Sequence, residues 1–295
     1  MLVLANAAAG SAADEAVQAA LAVLRDHAHV EVVVPEQPGD LDQAVAGAAG
    51  RPIVVLGGDG SVHGCLQAVA DRGLLEEIGP IGVVPMGTGN DFSRAMGLPF
   101  EPAQAAGVAL HGELRHIDLL RDEDGGVVVN AVHAGLGAQA TAHAEEVKGL
   151  LGTAAYALGA VRAGASSSGW HLRVSVDGDV VLDGTRRALM VTVGVGATVG
   201  GGAPVAPGAS PTNGLAEVVV STATGPVARV GYALALRRGR HTGRADVAVH
   251  RGREVTVEAD EPFRVNTDGD VGGSHPARTW TVLPDAWSCR VPAAR

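Results

Sequence analysis

Apolar and polar positions follow two different patterns along this chain, and the change comes near Leu120. Up to that point, short apolar runs alternate with Ala-rich helical stretches. LVLAN at 2–6, VEVVV at 30–34, PIVVL at 52–56 and IGVVP at 81–85 predict strands. Asp14 to His27 and a stretch from near Val62 to about Arg72 predict helices, with a further short helix after the turn that follows IGVVP. Strand–helix alternation of this kind predicts βα units around a mostly parallel sheet.

Beyond Leu120 the runs become VVVNAV, HLRVSVDGDVVLDG, RALMVTVGVG, LAEVVVST, ADVAVH, EVTVEAD and TWTVL, separated by DG, NG and GG pairs. Short strands with such turns predict an antiparallel sandwich or barrel. Helical patterns interrupt the series near Leu151 to Ala165 and Val227 to Arg238. The chain therefore divides into an α/β domain over 1–120 and an all-β domain over 121–295, the final residues belonging either to the second domain or back with the first.

Composition narrows the function classes. Hydrophobic residues make up 46% of the 295, aromatics only 3%, so the core rests on Val, Leu, Ala and backbone packing through 42 glycines. A net charge of −10 argues against a general nucleic-acid binder. Cys65 and Cys289 are too few for a disulfide framework, which suits a reducing cytoplasm. The N-terminus lacks the basic start of a signal peptide and meets Asp14 and Glu15 early. The apolar stretch from Ala188 to Ala206 is broken by glycines and Pro204, making it a poor membrane span.

Candidate chemistry begins with Gly57, Gly58, Asp59, Gly60 and Ser61, between the strand PIVVL and a helix. Glycines permit positive φ and close backbone approach, while free amides at a helix start attract phosphate. An ordinary tight turn explains this loop equally well by itself. A second loop, Pro85-Met86-Gly87-Thr88-Gly89-Asn90-Asp91-Phe92, also joins a strand to a helix, and two such loops on neighbouring strands would line one crevice. Lys148 is the only lysine and is remote from both loops, so neither is a Walker A loop. GDGSVHG places its last glycine one position too late for a dinucleotide fingerprint.

GGDGS, VVPMGTGNDFSRAMGLP, Asp118 within RHIDLL, GGGAPVAPGASPTNGLAE, NTDGD and VLPDAWSCRVP occur in that order over nearly the whole chain. Together they resemble the bacterial diacylglycerol kinases and related lipid kinases, a pattern shared with sphingosine and ceramide kinases. The resemblance implies an α/β ATP-binding domain, a C-terminal β-sandwich and an active site in the cleft between them. It implies that ATP is held by Gly57, Gly58, Asp59, Gly60 and Ser61, by Gly87, Thr88, Gly89 and Asn90, and by a turn retaining Asn6 and Gly10. That turn reads NAAAG where the family has Asn-Pro-x-Ser-Gly.

Asp59, Asp91 and Asp118 would organise Mg²⁺ near the phosphates, although helix capping would also explain the first two and a solvated strand end the third. Asp270 would be the base that accepts the hydroxyl proton, with Asp268 supporting or the two exchanged. The family reads Asp-Gly-Glu where this chain reads Asp-Gly-Asp, and a DG hairpin turn with two solvated acids is the plain alternative. A structural Mg²⁺ loop would use Asn213 and Leu215, with neutral Asn213 replacing the family's first Asp.

The resemblance further implies a lipid alcohol as substrate, diacylglycerol foremost, with phosphatidic acid as product. Cysteine usage and the broken apolar stretch place the protein in the cytoplasm, at most peripheral at the inner face of the membrane, and the resemblance is compatible with a homodimer. Arg237, Arg238, Arg240, His241 and Arg244 follow the apolar stretch VARVGYALAL, and are either a surface for an anionic membrane or a helix with a solvated end. An NAD kinase and a catalytically weak nucleotide-binding regulator are the competing functions.

Overall fold

The computed structural model describes residues 1–5, 11–48, 50–135 and 169–293. The chain forms two compact units. Unit 1 comprises Met1–Leu119, Gly125–Val129 and Leu283–Arg295, and unit 2 comprises Leu120–Asp124 and Asn130–Val282.

Unit 1 runs β1 (Leu2–Ala5), α1 (Ser11–His27), β2 (Glu31–Val33), α2 (Pro38–Ala46), β3 (Ile53–Gly57), α3 (Asp59–Asp71), β4 (Ile81–Pro85), α4 (Asp91–Ala95) and α5 (Pro102–His111). Next come β5 (Glu113–Asp122), whose last residues belong to unit 2, and β6 (Val127–Val128). β2, β1, β3 and β4 lie side by side and parallel, with Leu2 opposite both Glu31 and Ile53, and Ile53 opposite Ile81.

Alternate strand residues feed two cores. Leu2, Leu4, Ile53, Val55, Ile81 and Val83 pack with Cys65, Leu66 and Val69 of α3. Val3, Ala5, Val54, Leu56 and Val84 pack with Leu21 and Leu24 of α1 and Ala105 and Ala109 of α5. A sheet covered by helices on both faces needs apolar residues at every position, which is why these strands read as continuous hydrophobic runs. Gly82 permits the close approach of α5, since a Cβ there would lie 2.5 Å from that of Ala109.

Neither α2 nor α5 is predicted by the apolar pattern. Both open on proline, which reads locally as a turn yet suits the first helical position. Their starts are tied by acids: Asp40 accepts from the Glu36 and Gln37 amides, and Glu101 accepts from those of Ala103 and Gln104.

Unit 2 contains β7 (Ala131–Gly135), β8 (Trp170–Val176), β9 (Asp179–Ala188), β10 (Met190–Gly194), β11 (Ala216–Ser221), α6 (Pro226–Leu236) and a 3-10 turn at His241–Gly243. β12 (Val247–Gly252), β13 (Glu254–Thr267) and β14 (Asp270–Val291) follow, and β14 ends in unit 1. The antiparallel order is β12-β11-β10-β7-β13-β14. β13 serves two neighbours: Val255–Ala259 pair with β8, and Val265–Thr267 pair with β7, with irregular register between Glu258 and Phe263. A break of this kind lets one strand contribute to two layers.

Two of the Asp-Gly pairs form hairpins as the sequence predicts, whereas Asp183-Gly184 lies within β9. Asp177 and Gly178 join β8 to β9 with φ of 51° and 88°, and Asp268 and Gly269 join β13 to β14 with φ of 50° and 110°. The helical pattern near Leu151 to Ala165 lies outside the described residues, whereas Val227 to Arg238 corresponds to α6.

Candidate functional site

In unit 1, β1, β3 and β4 end together, and the loops following β3 and β4 meet. A cleft of about 490 Å³ opens there, lined by Gly58, Asp59, Gly60, Ser61, Gly64, Gly87, Thr88 and Gly89 with Leu4, Ala5, Pro35 and Leu41. Asn6 and Gly10, in the turn after β1, lie outside the described residues.

The glycines act here through close approach. A Cβ on Gly58 would lie 2.9 Å from the Gly87 Cα, and one on Gly87 would lie 2.6 Å from the Gly58 Cα, so the two backbones can touch only as glycines. Positive φ, the other use the sequence suggests for them, falls instead to Asn90 at 51°. Its side chain fixes the second loop: Nδ2 donates to the Gly87 carbonyl at 2.6 Å, and Oδ1 accepts from the Gly87 amide at 3.0 Å. Asn90 is buried, so it shapes the loop from within.

Asp59 fastens the loops together. It is the first residue of α3, which begins here and not near Val62, yet its carboxylate accepts from the amides of Asp91 at 3.0 Å and Phe92 at 3.1 Å. The carboxylate therefore caps the neighbouring helix α4. Asp91 is buried, and so is Asp118, whose Oδ1 accepts from the Asp285 amide at 3.0 Å. The solvated strand end considered for Asp118 is thus incorrect, because β5 runs through the core of unit 1. Among the described residues, no three acids, histidines or cysteines gather closely enough to hold a metal by themselves.

Unit 2 carries the remaining acids in the β13–β14 hairpin. Asp268 is half-buried, and its Oδ1 accepts from the Asn130 amide at 2.8 Å and the Ala131 amide at 3.1 Å. Its own amide donates to the Ala131 carbonyl. Asp270 opens β14 and is exposed. The alternative of two solvated acids holds for Asp270 and fails for Asp268.

Beside the hairpin lies a polar row that no local motif announces. His133 of β7 stands opposite Thr192 of β10 and Asn266 of β13, so the three side chains share one face. All are buried, and among the described residues His133 Nδ1, Thr192 Oγ1 and Asn266 Nδ2 have no hydrogen-bond partner. The Asn266 Oδ1 accepts from the Gly269 amide at 3.1 Å and so braces the turn. Burial pushes His133 down to about 4, against the opposing pull of the Asp268 carboxylate.

Asn213 and Leu215, the candidates for a structural Mg²⁺, lie in a turn before β11. The Asn213 Oδ1 accepts from the Leu215 amide at 3.0 Å, which closes the turn on itself. The nearest acid in sequence, Glu217, is buried and accepts from the Gly208 amide at 2.8 Å and from Arg251 at 3.2 Å. Arg251 also donates to the Gly208 carbonyl at 3.0 Å. A guanidinium thus ties the connection before β11 to β11 and β12.

Comparison with known proteins agrees with this geometry. Residues 1–121 match the family described as "Diacylglycerol kinase catalytic domain", and residues 130–290 match the "YegS C-terminal NAD kinase beta sandwich-like domain". A protein of Pseudomonas aeruginosa named "Probable lipid kinase YegS-like" is 34% identical over 289 residues, 96% of this chain and 91% of its own. The "Diacylglycerol kinase" of Bacillus subtilis is 28% identical over 243 residues, 81% of this chain and 78% of its own. A crystal structure of a diacylglycerol kinase from Bacillus anthracis superposes with a TM-score of 0.77 at 23% identity, covering 98% of this chain and 96% of that one, a likeness of fold. With matches running through both halves, the chain belongs to the bacterial diacylglycerol kinase and YegS-like family of lipid kinases.

Proposed function

We propose that this protein transfers the γ-phosphoryl group of ATP to the hydroxyl of diacylglycerol or a closely related lipid alcohol, with phosphatidic acid as the product from diacylglycerol. The observation that carries the reading is the pair of glycine loops held backbone to backbone by Asp59 over the unit 1 cleft. Side-chain-free loop backbone and the first turn of α3 border that cleft, the arrangement that admits phosphate oxygens close to amides. Gly57, Gly58, Gly60, Ser61, Gly87, Thr88 and Gly89 are the proposed nucleotide contacts, and Asn90 shapes the loop.

Asp59, Asp91 and Asp118 suit a magnesium ion that arrives with the nucleotide, since Mg²⁺ takes few carboxylates and keeps waters and phosphate oxygens as its other ligands. When bound, it would neutralise charge on the transferring group. The acceptor hydroxyl loses its proton to a carboxylate, its oxygen bonds to the γ-phosphorus, and the bond to the ADP oxygen breaks. Asp270 is the proposed base because its exposed carboxylate is open to substrate. Asp268 is proposed to hold the hairpin, its Oδ1 being engaged by two amides. Among the described residues, no helix is long and apolar enough to cross a membrane. We place the protein in the cytoplasm, as a monomer or homodimer.

The test is transfer of labelled γ-phosphate from Mg-ATP to a panel of diacylglycerol, sphingosine, ceramide and NAD. Label in a lipid, lost in Asp270→Ala, supports the reading. Label in NAD alone would convert it to an NAD kinase, and nucleotide binding with no labelled product to a regulator.

A further inference from the structure

Apart from Arg229, helix α6 carries only apolar residues, glycine and Tyr232, which is the pattern of a helix buried on most sides. Only part of it is covered. Tyr232, Ala228 and Leu236 pack on Leu189, Met190 and Ala223. Val227, Val230 and Leu234 stand 87%, 56% and 49% exposed. At 3.6 residues per turn these three fall within an arc of about 60°, and Arg237 and Arg238 continue that arc beyond the end of the helix. Arg237, Arg238 and Arg240 are exposed and make no ion pair among the described residues.

Charge identifies what covers the ridge. Residues 222–245 hold five arginines and no acid, although the chain as a whole carries −10. A second copy of so acidic a molecule could meet this segment, but a dimer would set the like-charged arginine clusters of two copies near each other if it paired the ridge with itself. An anionic bilayer offers the complement to both features, hydrocarbon for the valine and leucine side chains and phosphate for the guanidiniums. Arg244 is set apart, being paired with Asp246 at 2.6 Å, and Arg229 lies on another side of the helix.

We infer that α6 and the arginines at its C-terminal end form a docking surface for the anionic face of a phospholipid bilayer, into which Val227, Val230 and Leu234 insert. The inference accords with the lipid kinase reading, since the acceptor resides in such a bilayer, but its test needs no turnover. The helix would lie in the interface plane, adding an electrostatic contribution that salt weakens.

The experiment is co-sedimentation of the full chain with phosphatidylcholine vesicles, with and without phosphatidylglycerol. It compares wild type with Arg237→Gln/Arg238→Gln and with Val227→Ser/Val230→Ser, all surface changes that circular dichroism should show to be folded. The wild type should bind the phosphatidylglycerol vesicles and release them as salt rises. Loss of two arginines should weaken binding about thirtyfold. The serine pair should weaken it with the salt dependence kept. Equal binding by all three proteins would overturn the inference, as would no binding by wild type. A wild-type dimer dissociated by the serine pair in sedimentation velocity would overturn it too, giving the ridge to a second copy. Phosphorylation of a dispersed short-chain diacylglycerol, measured in parallel, should be unchanged in both variants; its absence from wild type as well would count against the kinase reading and leave the vesicle result standing.

Discussion

Two regions of this molecule each present acids on a glycine-containing turn, and they do so in opposite ways. At the loops after β3 and β4, Asp59 has its carboxylate engaged by the amides of α4, and Asp91 is buried beside it. At the β13–β14 hairpin, one acid is engaged in the same manner and the other, Asp270, faces solvent. An acid that accepts hydrogen bonds from several amides organises backbone, whereas an exposed one remains open to a substrate proton. The first region is thus a backbone cradle fixed by acids, and the second is a fixed turn that leaves one carboxylate exposed.

The sharpest way to break this comparison is Asp270→Ala, which should lower kcat by about 10²–10⁴ with little change in melting temperature. Asp270→Glu, restoring the family residue, should keep substantial activity. A comparable fall in melting temperature would show that Asp270 is structural after all. Asp59→Ala should do the reverse, costing about 2–3 kcal/mol of stability by leaving two amides unpaired, and weakening nucleotide binding as well. Denaturant unfolding alongside nucleotide titration separates the two positions. Gly87→Ala should cost about 1–3 kcal/mol, because its new Cβ meets the backbone of Gly58 and the Asn90 Oδ1 that braces the loop. Unaltered nucleotide affinity in that variant would detach the loop contact from function.

pH offers a gentler probe of the hairpin side. His133 is held at about 4, below the ordinary value near 6.5, so the unfolded chain binds the extra proton first as acid is added. Its contribution should be complete above pH 6.5 and be lost as pH falls toward 4, amounting to roughly 3 kcal/mol. His133→Gln should flatten that part of the stability profile, and an unchanged slope would mean the imidazole is not the group responsible. The smallest effect belongs to the connection before β11. Magnesium and EDTA should leave the thermal stability of the nucleotide-free protein unchanged, while Glu217→Gln should lower it by about 1–3 kcal/mol by weakening the ties to Arg251 and Gly208. A melting temperature that rises with magnesium alone would restore the metal loop.

Much of the fold was legible in the chain because it depends on local patterns. Continuous apolar runs before Leu120 and short runs with Asp-Gly turns after it separate a parallel sheet from antiparallel hairpins, since each architecture imposes its own burial pattern. α2 and α5 were not legible in this way: their proline starts resemble turns, and it is side-chain capping by Asp40 and Glu101 that makes them helices. The ordered motifs likewise pointed to the family, and the comparisons place the chain there.

The sequence by itself determined which residues are the candidates for the chemistry: two glycine loops, a set of acids, an Asp-Gly-Asp turn and an arginine cluster after an apolar helix. Only the tertiary structure decided what each group meets. Asp59 reaches amides 32 and 33 residues away, and Asp268 reaches one 138 residues away. The His133 row exists because three strands align their registers, and α6 has an exposed ridge because its packing partners cover only part of it. The physical reason is common to all of them: residue type sets what a side chain can donate, accept or bury, but the partner is supplied by packing between segments distant along the chain.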